Sequence, residues 1–380
     1  MYSIAGYGAM IADTVRMAAY EQAIAQSVKP GAIVLDIGTG TGVAAALACQ
    51  HGAGHVYAVE PDNAIEVARE IARANGLAEK ITFIRDLSTN ISLPQPADVI
   101  VSDLRGVLPL LQQHIPSLID ARTRLLVPGG VLIPQRDTMW MALANAPETY
   151  KKFAQPWDER PYGLDMKAAR QITVNKWRKE RLQPQNLVGE PQMIAVLDYA
   201  TITTPDVRSE LVWHIEQGAV INGLCVWFNA ELYAGVGFSN APGESELIYG
   251  SGFFPLEQPV ILELGDFVHV TFQSDLVSGE YIWQWRTRIE SPRGQVKGNF
   301  QQSTFFGVPL ALDRLHKRAS GYVPQIDESG QVDRFILDRM DGKTTVHSIA
   351  DAVAARFPAN FPTVREAMIR VADLSERYSS

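Results

Sequence analysis

One stretch near the start of the chain constrains the fold more than any other. The apolar run Ala32-Ile33-Val34-Leu35-Asp36-Ile37 ends in Gly38-Thr39-Gly40-Thr41-Gly42, and an Ala-rich helix is predicted from Val43 to Gln50, stopped by Gly52. A buried strand that delivers a carboxylate and three alternate glycines into a helix leaves main chain bare, which lets a ligand approach the backbone closely. The pattern continues. Val56 to Val59 reads as a second strand ending at Glu60, Ile65 to Ala74 has helical spacing and stops at Asn75-Gly76, and Ile81 to Ile84 and Val99 to Val101 read as short buried strands. This alternation predicts a parallel sheet covered by helices on both faces over residues 1–134.

After Pro128-Gly129-Gly130 the texture changes. Runs such as Ala219 to Trp227, Val260 to Leu264 and Phe267 to Phe272 recur between Gly and Pro punctuation, which predicts an antiparallel β-barrel or sandwich over residues 135–312. The polar segment Lys151 to Glu190, with a helical stretch near Asp165 to Gln171, reads as an arm inserted into it. Residues 313–380 form a third, mainly helical module, with helices near Val346 to Arg356 and Thr363 to Tyr378. A chain of 380 residues with 46% hydrophobic residues has the length and apolar content for such a division.

Composition narrows the function classes. The net charge of −8 gives no general attraction to a phosphate backbone, so no nucleic-acid partner is expected. Two cysteines, Cys49 and Cys225, are too few for a disulfide framework. The pair His51 and His55 is interrupted by Gly52 and Gly54, so it reads as a turn and no metal is expected. Neither a signal peptide at Met1 to Gly6 nor an apolar run of about 20 residues is read, which predicts a cytoplasmic protein without a membrane span.

The ligand of the glycine loop follows from its spacing. A dinucleotide fingerprint needs a third glycine where Val43 stands, and no Gly-Lys-Ser/Thr triplet marks a phosphate loop. S-adenosylmethionine is the better candidate, with its amino-acid moiety across Gly38, Gly40 and Gly42, Asp36 delivered by the strand that enters the loop, and Glu60 at the end of the next strand as acceptor for the ribose diol. NAD, and a plain tight turn with an exposed Glu60, stay open at this level.

With these residues in place the chain resembles class I methyltransferases, and specifically the protein arginine methyltransferases, from about Tyr2 to Ile289. Tyr7-Gly8-Ala9-Met10-Ile11-Ala12-Asp13-Thr14-Val15-Arg16 resembles the family's N-terminal helical segment. Tyr162-Gly163-Leu164-Asp165-Met166 resembles the approach to its dimerisation arm, and Trp227-Phe228-Asn229 and Ser239-Asn240-Ala241-Pro242 resemble strings of its β-barrel. The resemblance implies a Rossmann-like domain followed by a β-barrel, a homodimer, and a protein or peptide substrate. It implies Arg16 as partner of the methionine carboxylate, an Arg fork being suited to that task, and Ser88 beside the adenine.

The departures bear on the acceptor. The family's double-Glu loop reads here Ser102-Asp103-Leu104-Arg105-Gly106-Val107-Leu108-Pro109-Leu110-Leu111-Gln112, so Asp103 and Gln112 stand where two acids would hold a guanidinium. A carboxylate about 4 Å from a guanidinium is worth ~4 kcal/mol at an effective dielectric of about 20. Replacing it with an amide therefore costs up to about three decades in rate. The family's Thr-His-Trp loop aligns with Leu247-Ile248-Tyr249, so its His is absent while Asp13 is kept. Asp103 and Gln112 are the catalytic candidates, and Tyr7, Arg105 and His114 are candidates for substrate contact.

The stretch Asp333 to Ser380, through Ile336-Leu337-Asp338-Arg339-Met340-Asp341-Gly342-Lys343-Thr344-Thr345-Val346, resembles the PqqD-like peptide-binding fold. That implies capture of a leader segment by strand addition and a helix groove, and so a ribosomally made precursor peptide as substrate. The reading is a methyltransferase for a protein or peptide side chain. Its alternatives are a small-molecule N- or O-methyltransferase and a non-catalytic S-adenosylmethionine-binding protein.

Overall fold

The alternation of apolar runs and glycine stops gives a parallel sheet in the computed structural model, which describes residues 3–309 and 311–379. Tyr2, where the family resemblance begins, lies outside the described residues. Two helices come first, α1 (Ile4–Ala12) and α2 (Thr14–Ser27). Then follow β1 (Ile33–Ile37), α3 (Val43–Gln50), β2 (His55–Val59), α4 (Ala64–Ala74), β3 (Ile81–Ile84), β4 (Ala97–Ser102), α5 (His114–Arg124) and β5 (Leu126–Ile133). The strands form a five-stranded parallel sheet in the order β3-β2-β1-β4-β5. The order reverses between β1 and β4, and the crevice beyond the carboxyl ends of such strands is where open α/β sheets take their ligands. Gly38 and Asp103 follow directly on those two ends. The predicted strands and helices of this region all form, within two residues of their expected ends.

The region after Ile133 continues with β6 (Arg136–Ala144), α6 (Pro147–Asp158), α7 (Lys167–Val174), β7 (Arg178–Glu180), β8 (Leu187–Asp198), β9 (Val207–His214), β10 (Ala219–Tyr233), β11 (Val236–Ser239), β12 (Ser251–Leu262), β13 (Phe267–Val277), β14 (Glu280–Glu290) and β15 (Val296–Ser303). These strands make two hydrogen-bonded sheets rather than one closed barrel: β7-β12-β10-β6-β8 with β11 beside β10, and β15-β14-β13-β9. Long strands can line two faces of a core without closing because each sheet buries alternate residues against the other. On β14 that alternation places Tyr281, Trp283, Trp285, Thr287 and Ile289 inward. In the arm, α7 starts two residues later than expected and α6 was not foreseen, since Pro156 interrupts its polar sequence.

The chain divides into two compact units, Met1–Pro309 and Leu310–Ser380. Within the first, the parallel and antiparallel sheets are not separate bodies. Leu35 and Ile100 of the parallel sheet belong to the same buried cluster as Met139, Phe228, Phe254 and Trp285. The second unit carries α8 (Leu312–His316), α9 (Glu328–Leu337), α10 (Val346–Arg356) and α11 (Val364–Tyr378). Its core is made by Val332, Ile336, Ile349, Val353, Val371 and Leu374. Thr345 and Thr363 cap α10 and α11 through Ser348 N and Glu366 N, at 3.2 and 3.3 Å. Among the described residues this unit has no strand, so the expected capture of a peptide by strand addition finds no sheet edge there.

Candidate active site

The glycine loop is held from beneath and from the side. Asp36 is buried, and its Oδ2 accepts Thr39 Oγ1 at 2.6 Å and Ala45 N at 3.0 Å, tying the start of α3 to the end of β1. Burial pushes this carboxyl up to about 6, against the two hydrogen bonds. Glu60 closes the other side: its Oε2 accepts Gly40 N and its Oε1 accepts Asp62 N, both at 3.0 Å. Burial raises this carboxyl too. Gly38, Gly40 and Gly42 have φ of 73°, 54° and 85°, a region that L side chains rarely adopt. A Cβ on Gly40 would lie 2.5 Å from Cε1 of Tyr7, so α1 folds its aromatic ring directly over the loop. Ser88, in the loop after β3, is buried, and its carbonyl accepts Arg124 Nη2 at 3.1 Å.

The N-terminal helices reach the same crevice. Asp13 caps α2 through Arg16 N at 3.1 Å, and its second oxygen accepts Ile248 N at 2.8 Å. The acid thus keeps a link to the loop before β12 through a backbone N–H in place of a histidine. Arg16 is buried; its Nη1 pairs with Asp103 Oδ2 and its Nη2 donates to the Met10 carbonyl at 2.7 Å. Burial opposes its charge, but Asp103 together with Tyr249, Tyr20 and Asp13 outweighs burial, and the guanidinium holds its proton more tightly than usual.

Asp103 is the hub of a buried polar cluster. Besides Arg16, it takes Arg105 Nε on Oδ1 at 3.3 Å and the Tyr249 hydroxyl at 2.9 and 3.1 Å on its two oxygens. Burial raises its carboxyl, yet Arg105 and Arg16 together bring it below the usual carboxylate range. Arg105 also donates to Asp137 Oδ1 at 2.8 Å and to the Tyr20 hydroxyl. Asp137 Oδ2 accepts Tyr199 OH at 2.6 Å, and that hydroxyl meets His114 Nε2 at 3.0 Å. The cluster therefore runs from the parallel sheet into β6 and the loop after β8.

The sequence candidates separate in space. Tyr7, Asp36, Gly38, Gly40, Gly42 and Glu60 gather at the loop, and Arg16, Asp103 and Arg105 gather beside it. His114 does not join them as a substrate contact: it is 1% exposed, starts α5, and burial lowers its imidazole to about 3. Its spacing in the polar end of the loop concealed that the helix turns it inward. Gln112 is exposed, has φ 41°, and its Nε2 reaches Glu280 Oε1 at 3.5 Å rather than Asp103. Residues that sequence reasoning did not assign are Tyr20, Asp137, Tyr199 and Tyr249, whose partners lie between 32 and 146 positions away. Asn240 is explained by the fold: its Oδ1 accepts Phe228 N at 2.7 Å and its Nδ2 donates to Val107 and Gly250 carbonyls at 3.1 and 2.5 Å, clamping three segments around Asp103.

Among the described residues no partner meets the buried Arg16 Nε. A partnerless guanidinium N–H beside a bare positive-φ loop and an acid ending the next strand suits a zwitterionic nucleoside ligand, so these residues fit S-adenosylmethionine. Fold and site together define a class I methyltransferase with an appended antiparallel domain.

Comparison with known proteins carries this further. The family model described as ribosomal protein L11 methyltransferase (PrmA) matches residues 13–149, and the arginine methyltransferase oligomerization subdomain matches residues 135–276. Protein arginine N-methyltransferase PRMT10 of Oryza sativa subsp. japonica is 32% identical over 299 residues, 69% of this chain and 78% of its own length. Probable protein arginine N-methyltransferase 6 of Arabidopsis thaliana is 31% identical over 252 residues, 64% of this chain; the match spans 58% of that relative's length. The solved structure of Arabidopsis thaliana protein arginine methyltransferase 10 superposes with a TM-score of 0.69 at 25% identity, covering 79% of this chain and 97% of that one. The Trypanosoma brucei PRMT1 enzyme-prozyme complex with AdoHcy shares the fold at a TM-score of 0.71 and 19% identity, covering 78% and 96%. The chain belongs to the protein arginine methyltransferase family. The sequence reading of an S-adenosylmethionine-dependent methyltransferase of this type is borne out.

Proposed function

We propose that the protein transfers a methyl group from S-adenosylmethionine to a side chain of a protein or peptide. The observation that carries the reading is the junction at the sheet's reversal point. There the glycine loop after β1, Glu60 after β2 and Asp103 after β4 open on one crevice, and Tyr7 lies over the loop. When bound, S-adenosylmethionine supplies an electrophilic methyl group on a positively charged sulfur. Arg16 would meet the carboxylate end through its unpartnered Nε, Glu60 would take the sugar hydroxyls, and Gly38, Gly40 and Gly42 would let the backbone approach; Ser88 and its neighbours would border the base. Asp36 acts beneath, through the two hydrogen bonds that shape the loop. Tyr7 closes over the loop and excludes water.

Asp103 orients the acceptor. Tyr249 keeps its hydroxyl proton because burial raises it well above its usual value, so it donates to Asp103 and fixes the carboxylate's rotamer. Gln112 stands at the outer end of the loop as a neutral contact.

A homodimer completes the reading. Its support is the oligomerization-subdomain match and the arm at residues 151–190, where Tyr162 is 99% and Leu164 58% exposed. The second unit, Leu310–Ser380, is read as the holder of a leader segment. No helix among the described residues is long and apolar enough to cross a membrane, and a cytoplasmic location accords with the two unpaired buried cysteines.

Calorimetry with S-adenosylmethionine and with NAD tests the core of the proposal. Binding of the first alone is expected, together with methylated products from a peptide library by mass spectrometry. Binding of NAD alone would refute it.

A further inference from the structure

Arg105 is a fully enclosed charge in the crevice, and its contacts are those a protein gives to a guanidinium it has bound. Its side chain is 0% exposed. It meets one carboxylate at 2.8 Å and a second at 3.3 Å, and its guanidinium carbon lies 5.3, 5.6 and 5.8 Å from the ring centroids of Phe238, Phe228 and Tyr20. Two acids and a set of aromatic faces are the chemistry of arginine recognition. Here the occupant is part of the chain.

We propose that Arg105 is a specificity-determining residue that bars cationic acceptors, so that the methyl group goes to a side chain without positive charge. The proposal rests on the methyltransferase reading above. Asp103 is the carboxylate nearest the reaction, and it is already engaged by Arg16, Arg105 and Tyr249. The two guanidiniums and the two carboxylates Asp103 and Asp137 cancel, and the remaining acid on that side, Asp13, is committed to Arg16 N and Ile248 N; the donor, zwitterionic at its amino-acid end, adds the net positive charge of its sulfur. A second acid at position 112 would restore the balance, but Gln112 is neutral and turned to solvent. The neighbouring rim adds one cation without a carboxylate partner among the described residues, Lys179. Lys179 Nζ donates to the Ile248 carbonyl, and Arg181 pairs with Glu246, next to the loop that ends in Tyr249. Arg105 acts through the charge of Asp103 and is in that sense a positioning residue.

The test uses the full chain saturated with S-adenosylhomocysteine and two peptides that differ at one residue, arginine in one and the uncharged citrulline in the other. Fluorescence anisotropy should show wild type binding the arginine peptide no more tightly than its citrulline twin. Arg105→Met should gain a preference for arginine of about tenfold or more, as expected when a like charge leaves a partly buried site. Arg105→Lys should not gain it. A purely structural role for Arg105 predicts loss in both variants and gain in neither. Should Arg105→Met fail to fold, wild type still decides: arginine preference there, or methyl label on arginine or lysine in a mass-spectrometric survey of a peptide library, overturns the proposal. Label on uncharged or acidic side chains supports it. Failure to bind S-adenosylmethionine would strike the methyltransferase reading instead, and calorimetry separates the two.

Discussion

Asp36→Asn should make the protein more stable at neutral pH, although the carboxylate it removes sits under the ligand loop. Asp36 Oδ2 accepts two hydrogen bonds, from Thr39 Oγ1 and Ala45 N, and the Asn carbonyl oxygen can accept both. What the variant loses is a buried charge. Burial, aided by Glu60 and Asp103, raises the carboxyl from 3.8 to about 6 despite those bonds. Between these values the folded protein binds a proton that the unfolded chain has released, so wild-type stability falls as pH rises. Two units at ~1.4 kcal/mol each give about 3 kcal/mol, lost between about pH 4 and 6 and constant above. Relative to wild type, Asp36→Asn should therefore gain stability through that window and then stay level. Urea unfolding at pH 5, 6, 7 and 8, followed by tryptophan fluorescence, reads the difference. All seven tryptophans lie before residue 310, so the signal reports the first unit alone. A wild-type–variant difference that stays level to within about 0.5 kcal/mol between pH 5 and 7, or that moves the other way, would refute the assignment of a strained buried charge.

Other perturbations separate ligand contact from architecture. Gly40→Ala forces a side chain into φ 54° against the Tyr7 ring, and should cut S-adenosylmethionine affinity by about tenfold or more in calorimetry. Gly76→Ala, at φ 69° with open space around it, should cost about 1 kcal/mol of stability and leave that affinity unchanged. Arg105→Met leaves Asp137 buried and unpaired and should cost roughly 3–5 kcal/mol in urea unfolding, most of it recovered in Arg105→Met/Asp137→Asn. Tyr249→Phe removes the hydroxyl shared by both oxygens of Asp103; kcat should fall about tenfold with the KM for S-adenosylmethionine unchanged, and a change in KM alone would contradict its role.

Much of the site was legible in the sequence because its signals are local. The loop from Asp36 to Gly42 needs positive φ at three alternate positions, and only glycine reports that need in a one-dimensional text. Glu60 is legible for the same reason: it follows the strand whose register sets Ala58 beside Asp36 and Val59 beside Ile37. His114 shows where such reasoning stops. A polar residue after a loop reads as solvent-facing, and only the packing of α5 against Tyr199 turns it inward. Gln112 was legible as a departure from two acids, but not as a residue bent toward Glu280 at the β13–β14 turn.

The cluster around Asp103 was illegible for a deeper reason, and that reason bears on function. Arg105 with Asp137, Tyr20 with Arg105, and Tyr249 with Asp103 are separated by 32, 85 and 146 positions, so no window of sequence contains them. Each is costly alone, since a buried charge or hydroxyl without its partner is destabilising. Together they require the parallel sheet, β6 and the loop before β12 to be docked before any of them is satisfied. Asp103 is thus set by the antiparallel domain as much as by β4. A change of acceptor in this fold then requires changes on both sides of the crevice, and the replacement of two acids by Asp103 and Gln112 is coherent only alongside Arg105, Asp137 and Tyr249.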